Sequence, residues 1–261
     1  MGLTNSLFRV PENQKKYIIT RRSPEEYDWI PDLIDRRDIH YDHPRMIKIK
    51  NSVCLKLPAT RAPSVTPSSE GSVAKSITGV YCYEYNKHME EDILFDSSFL
   101  GNIQSMIYVT KEKQLLYSIR DGLKLTASIG TLSSGVSGDS EKYNSIQYRY
   151  VRPKETDLQL ALCFDHPVLF GISIYESQKQ FIDSEESDQI FPQPGGRMLG
   201  GLCCVISGYD VGKGCFLIQG LGKKDVWIPF KRILEEGTCF WIISKTRVTK
   251  ITEEYSFRDV T

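Results

Sequence analysis

Cysteine and histidine side chains have the greatest chemical potential in this chain, because a thiolate and an imidazole together can carry out nucleophilic catalysis. The sequence has four histidines and seven cysteines, the latter at positions 54, 82, 163, 203, 204, 215 and 239. Cys82 and His88 lie on one predicted helix, but a separation of six residues directs them to different faces. The pattern favours a buried structural thiol at Cys82, and Cys203 and Cys204 are interpreted as small buried residues of a strand.

Metal and phosphate sites are not expected. His40, Asp42 and His43 have no fourth ligand nearby, and no two cysteines have the CxxC spacing of a zinc site. The acidic run 183–188 lacks an EF-hand pattern and is interpreted as a solvated loop. The glycines of 208–214 lie between two predicted strands, which indicates a hairpin rather than a phosphate loop. We therefore expect neither a metal nor another cofactor.

Charge and hydropathy narrow the choice of partners. Lys plus Arg and Asp plus Glu both total 33, so the formal net charge is zero. A nucleic-acid binder usually has a basic excess, so protein partners are expected instead. No apolar run has the length of a signal peptide or of a membrane span, which predicts a cytoplasmic protein with reduced thiols.

The first residues match a lipidation pattern. Met1, Gly2 and Ser6 fit M-G-x-x-x-[ST], which makes Gly2 a candidate for N-myristoylation. One myristoyl chain binds a membrane only marginally, and the nearby bases Arg9 and Lys15 offer a second, electrostatic contact. The alternative interpretation is a frayed, solvated terminus.

Apolar spacing predicts the elements that would position these residues. A polar N-terminal extension covers 1–45, in which Trp29 could attach the segment to a core. A helix is predicted over 71–88, with Glu84 facing solvent. The other predicted helices lie around 117–123 and over 155–164, and strands are predicted at 47–49, 146–151, 167–175, 203–208, 215–219, 226–229 and 238–244. Helices in the first half and strands in the second predict an α+β fold.

Eight motifs resemble, in the same order, those of the papain-like cysteine peptidases, and most closely the forms found in microbes and large DNA viruses. The segment Trp29–Asp38 resembles W-(I/L)-P-D-L-P-D-x-R-D, and Gly71–Ala74 lies where these enzymes carry G-S-C-x-A. The remaining six are Ser118–Lys124 (S-I-R-D-G-I-K), Pro167–Ser177 (P-V-x-x-G-I-x-V-Y-E-S), Gly200–Asp210 (G-G-H-A-V-x-x-V-G-Y-D), Phe216–Gly222 (a segment ending in N-S-W-G), Trp227–Phe230 ((F/W)-x-P-(Y/F)) and Phe240–Ile243 (F-W-x-I).

The resemblance implies a two-lobed papain-like fold over 46–261. Residues of about 66–164 would form a mainly helical left lobe. Those of about 165–261 would form an antiparallel sheet or barrel as the right lobe, with the N-terminal arm packed across it.

The resemblance also identifies where the catalytic groups would stand. Position by position, the nucleophile becomes Val73, the histidine Leu202, the asparagine Gln219 and the oxyanion glutamine Pro67. Val and Leu side chains have no proton to exchange, and proline has no N–H to donate. Leu221 replaces the tryptophan that shields the histidine and asparagine. We therefore expect no enzyme activity, and expect Val73 and Leu202 to meet across the former cleft.

The expected function is a catalytically inactive pseudoprotease with a structural or scaffolding role. The viral resemblance and the pattern at Gly2 suggest a minor capsid protein or another virion component that contacts a membrane through its lipid. The alternative is a peptide-binding or inhibitor-like regulatory module. A third possibility is a hydrolase with a relocated site.

Overall fold

The computed structural model describes residues 29–32, 35–42, 48–58, 71–89, 95, 118–129, 131–132, 142–183, 191–222 and 225–251. The predictions at Gly2, Pro67 and His43, and the acidic run after Asp183, lie outside these ranges.

Five helices and eight strands make up this part of the chain. The helices are α1 (Ser72–Met89), α2 (Ile119–Ile129), α3 (Glu155–Cys163), α4 (Glu176–Asp183) and α5 (Phe230–Glu236). The strands are β1 (Ser52–Cys54), β2 (Thr131–Leu132), β3 (Lys142–Tyr150), β4 (Val168–Tyr175), β5 (Met198–Asp210), β6 (Cys215–Gln219), β7 (Val226–Pro229) and β8 (Gly237–Ile251).

The strands form one antiparallel sheet in the order β2-β3-β8-β4-β5-β6-β7, and β1 also pairs with β5. The predicted mixture of helices with an antiparallel sheet is confirmed. The sheet nevertheless includes β3, which precedes residue 165 and pairs with β8 from Lys142 to Tyr150. The division into a helical and a sheet lobe therefore stays a prediction.

Most predicted elements agree with the structure. Helix 71–88 corresponds to α1, and the strands at 215–219 and 226–229 have the predicted bounds. The strand predicted at 47–49 is wrong, since Lys48 and Ile49 have no regular structure. Pairing begins at Ser52 instead. There Gly208 lets the two backbones approach so closely that a Cβ would lie 2.4 Å from the carbonyl oxygen of Val53.

Two apolar clusters occupy the two faces of the sheet, as the alternation along β5 shows. Cys204 and Ile206 belong to the first cluster, with residues of α3 and α5, whereas Cys203 and Val205 belong to the second, with residues of α1 and α2. The predicted burial of Cys203 and Cys204 is confirmed. A fully buried side chain of Val or Leu size contributes about 1.5–3 kcal/mol, so both clusters hold the helices against the strands.

Candidate functional site

The N-terminus of α1 is attached to β5 by two serine side chains. Gly71, in the left-handed region at φ 84°, leads into the helix. The Cys203 N–H donates to Ser72 Oγ at 3.1 Å, and Ser76 Oγ donates to the Cys203 carbonyl oxygen at 2.9 Å. Both polar groups of one strand residue are thereby satisfied by one helix. This junction places the helix start directly beside Leu202.

The two aliphatic residues at this junction are not brought together in one cluster. Val73 is fully buried in the second cluster, but Leu202 is half-buried and packs against the first. Successive residues of a strand point to opposite faces, so Cys203 rather than Leu202 faces α1. We expected Val73 to contact Leu202 because we took Leu202, at the position of the family's histidine, to face the helix.

The remaining predicted positions lie elsewhere. Gln219 pairs with Val205 at the end of β6, and its side-chain amide donates to Asp225 Oδ2 at 3.1 Å. Leu221 is fully buried in the first cluster, so an aliphatic core contact replaces the tryptophan expected there. Gly220, which follows Gln219, lies against the junction, since a Cβ there would be 3.6 Å from the Cys203 carbonyl oxygen.

Trp29 fills the junction from the N-terminal arm, defined here as residues 29–42. The backbone N–H of Trp29 donates to the Gly201 carbonyl oxygen at 3.0 Å, and only 1% of the residue is exposed. The indole lies directly on two strand glycines. A Cβ at Gly171 would be 1.9 Å from the ring and one at Gly201 would be 2.3 Å from it. The predicted attachment by Trp29 is confirmed. The glycines that receive it were missed, although glycine inside a strand often marks a close approach of another group.

Asp32 joins the arm to α2 and β8. Its Oδ1 accepts a hydrogen bond from the Arg120 N–H at 3.0 Å, and Oδ2 accepts one from Trp241 Nε1 at 2.7 Å. Its own N–H donates to Cys239 Sγ at 3.2 Å. Burial raises the pKa of the Asp32 carboxyl, while the bonds from Arg120 and Trp241 oppose that rise. Three of the eight sequence motifs therefore meet at one carboxylate.

The Arg120 guanidinium attaches the next turn of the arm. Its Nη1 lies 2.7 Å from Asp38 Oδ2 and 4.0 Å from Asp35 Oδ2, with only 8% of the side chain exposed. Asp35 also pairs with Arg37 at 2.7 Å, which lowers the pKa of Asp35 well below its usual range. Further along, His40 bridges to Tyr150 of β3. As predicted, the arm crosses the later strands, and it continues as far as β3.

The contributions of Asp32 and Asp35 to folding stability should change in opposite directions with pH. The pKa of Asp32 is raised by folding, so its contribution to stability is fully present below about pH 3.9 and is lost as pH rises through the folded-state pKa. The pKa of Asp35 is lowered, so its contribution is present above about pH 3.9 and is lost as pH falls.

We therefore expect wild type to gain stability relative to Asp32→Asn on acidification, and to lose it relative to Asp35→Asn. At neutral pH, Asp32→Asn should also cost about 1–3 kcal/mol, because one buried donor loses its acceptor. Urea unfolding of the three proteins between pH 3 and 7 measures both differences. Parallel stability curves for wild type and Asp32→Asn would contradict this account.

Two thiols contact polar side chains, and burial raises the pKa of two others. Cys82 is buried, as predicted, and accepts a hydrogen bond from Asn86 Nδ2 at 3.6 Å. Cys163 Sγ lies 3.0 Å from the Tyr209 hydroxyl. Burial raises the pKa of the Cys239 thiol to about 12 and also raises that of Cys204. A raised pKa disfavours the thiolate that nucleophilic attack requires.

Glu84 corrects one sequence prediction. It does not face solvent but is completely buried on α1, with Oε1 2.8 Å from His166 Nδ1 and Oε2 3.7 Å from Lys87 Nζ. Lys87 also donates to the Asp165 carbonyl oxygen at 3.0 Å. The His166 imidazole and the Lys87 ammonium both lie against the buried carboxyl group, which is why a glutamate is tolerated there. The pair attaches α1 to the loop before β4.

Neither a metal centre nor a membrane span is found among the described residues. Their His, Cys, Asp and Glu side chains include no group of three that could hold a metal ion. None of the described helices is both long and apolar enough to cross a bilayer.

The fold is that of the papain-like cysteine proteases. The structure is similar to xylellain, a cysteine protease from Xylella fastidiosa, with a TM-score of 0.67 and 19% identity over 88% of this chain and 100% of that one. It is also similar to procathepsin B S9 from Trypanosoma congolense, with a TM-score of 0.61 and 11% identity over 83% of this chain and 86% of that one. Digestive procathepsin L 3 of the Tenebrio molitor larval midgut aligns with a TM-score of 0.51 and 12% identity, over 86% and 77% of the two chains. No family model and no curated protein sequence matches the chain.

Proposed function

We propose that this protein is a catalytically inactive member of the papain-like group that acts as a structural or scaffolding protein. The proposal starts from the residues at the catalytic positions. Val73 and Leu202 stand where a thiol and an imidazole would be needed, and neither side chain can transfer a proton.

The observation that carries the proposal is the complete burial of Val73 at the N-terminus of α1. Val73 has no exposed surface and belongs to the second apolar cluster, so the position that corresponds to the family's nucleophile is part of the core. A buried aliphatic side chain offers neither a nucleophile nor a proton to a bound peptide. Trp29 does not decide against the alternative of a peptide-binding module, because the lead-in motif of the active peptidases carries the same tryptophan.

A peptidase assay tests the absence of catalysis. We expect no hydrolysis of a library of fluorogenic peptides by the wild type. Xylellain assayed in parallel provides the positive control. Turnover that is abolished by Cys82→Ala or Cys239→Ala would contradict the proposal and reveal a relocated site.

We further propose that the protein is a virion component, such as a minor capsid protein, with a myristoylated Gly2. This part is supported by the motif resemblance and by the N-terminal pattern. Mass spectrometry of the native N-terminus tests the lipid, since a free or acetylated Gly2 would contradict it. Gradient sedimentation of native material tests the assembly, since an isolated monomer would contradict a scaffolding role.

A further inference from the structure

One end of the sheet presents exposed apolar side chains among lysines. The turn between β5 and β6 exposes Val211 at 49%, and the neighbouring edge strand β7 exposes Trp227 at 36%. Lys213 in the same turn lies with Nζ 4.4 Å from the centre of the Trp227 ring. The third exposed large apolar residue of the described chain, Ile39, lies beside Tyr150 of β3, toward the opposite end of the sheet.

The tip formed by the β5–β6 turn and the start of α5 is held together by backbone hydrogen bonds. Lys213 N–H donates to Asp210 Oδ1 at 3.1 Å and Gly214 N–H donates to the Val211 carbonyl oxygen at 3.2 Å, which closes the turn. The Phe230 N–H donates to the Gly214 carbonyl oxygen at 2.9 Å, which attaches the start of α5.

Trp227 faces outward because of its register. It pairs with Leu217 of β6, whose neighbours Phe216 and Ile218 belong to the first apolar cluster. The residue therefore lies on the face of the sheet opposite that cluster.

Two further exposed lysines are sequence neighbours of residues whose backbones bond to the turn. Lys231 is 85% exposed at the start of α5, and Lys50 is exposed next to Asn51, whose carbonyl oxygen accepts from the Val211 N–H at 2.9 Å. With Lys213 this gives three positive charges around the tip. The nearby carboxylates are Asp210, which accepts the turn hydrogen bond, Glu235, 3.8 Å from Lys231, and the exposed Asp225, which precedes Trp227 by two residues and accepts from Gln219.

We propose that this tip, comprising Val211, Lys213, Trp227, Lys231 and Lys50, docks onto an anionic lipid surface. Tryptophan is the residue most characteristic of the bilayer interface, and lysine can extend past apolar groups to reach lipid phosphates. A convex turn with two apolar side chains is too small for a stable protein interface of about 800 Å² per partner. It is suited to shallow insertion between headgroups, where adjacent lysines add electrostatic attraction.

The test uses the full-length chain produced in bacteria without an acyltransferase, so that no lipid on Gly2 contributes. Vesicles of phosphatidylcholine alone and with 30% phosphatidylserine are compared by co-sedimentation. We expect several-fold stronger binding to the anionic vesicles, and loss of that preference in 0.5 M salt because charge attraction is screened.

Fluorescence locates the contact. The chain has three tryptophans, and Trp29 and Trp241 are each only 1% exposed. Brominated lipid should therefore quench Trp227 selectively, and the quenching should disappear in Trp227→Phe.

Substitutions show whether vesicle binding depends on the tip or on surface charge in general. Lys213→Gln should weaken binding about fivefold, the effect of one lysine near an anionic surface, and Val211→Ser should also weaken it. The matched controls Lys124→Gln on α2 and Ile39→Ser should leave binding unchanged, because both lie toward the β3 end of the sheet. Equal binding to both vesicle types, binding without quenching, or equal losses in the controls would overturn the proposal. These outcomes are independent of whether the protein cleaves peptides.

Discussion

Replacing Gly171 with alanine is expected to force the Trp29 indole out of the α1–β5 junction. A Cβ at Gly171 would lie 1.9 Å from two atoms of the ring, far inside van der Waals contact. The strand backbone beneath is held by pairing on both sides, to β5 and to β8, so the indole must move instead. We expect a loss of about 3 kcal/mol, at the upper end for overpacking, measured by urea unfolding.

A double-mutant cycle identifies the indole as the cause. Trp29→Ala alone should cost about 3–5 kcal/mol, as expected for loss of a large buried side chain. In that background Gly171→Ala should cost much less, since the clashing ring is absent, so the coupling energy should exceed about 1 kcal/mol.

The matched control for the cycle is Gly195→Ala. Its added Cβ would meet Ser177 Oγ at an ordinary 3.4 Å, so stability should hardly change. Additive effects of Gly171→Ala and Trp29→Ala would contradict the proposed position of the indole.

Removing the imidazole of His166 is expected to have the second large effect. Glu84 is completely buried, and His166 Nδ1 lies 2.8 Å from its Oε1. His166→Ala removes this hydrogen-bond partner from a buried carboxyl group and leaves Lys87 Nζ 3.7 Å from the other oxygen. Breaking a buried pair by deleting one partner costs about 3–5 kcal/mol, and we expect the lower end because Lys87 remains. Thermal or urea unfolding at neutral pH measures the loss.

Two further variants show whether the stability loss in His166→Ala comes from the buried carboxyl group or from lost packing. Adding Glu84→Gln to His166→Ala should recover part of the stability, because a neutral amide costs less to bury than a carboxylate. Glu235→Gln breaks the exposed pair with Lys231 and should change stability by less than about 1 kcal/mol. If Glu84→Gln gave no recovery, the Glu84–His166 interaction would not be electrostatic in origin.

Local sequence patterns predicted most of the individual elements. The apolar spacing of 71–88 corresponds to α1, and the strand predicted at 203–208 lies within β5. The short helices α4 and α5 were not predicted. They are only eight and seven residues long, too short for a helical period to be distinguished from strand alternation.

Long-range contacts explain the predictions that failed. Glu84 appeared to face solvent because a charged residue on an isolated helix normally does so. It is buried because His166, distant in sequence, supplies its partner. The Val73–Leu202 contact was expected from the order of the motifs alone, but the alternation of β5 turns Cys203 toward α1 instead.

The amino-acid sequence by itself determined most of the longer helices and strands, because their apolar spacing needs no knowledge of distant contacts. The motif resemblance added the expectation that aliphatic residues stand at the catalytic positions. Only the tertiary structure decided what occupies the α1–β5 junction. Trp29 packs onto Gly171 and Gly201, which are more than a hundred residues away along the chain. Asp32 likewise bonds to the distant Trp241, and also to the nearer Arg120. No local periodicity records such meetings, because each requires two separately formed surfaces to match in shape and polarity.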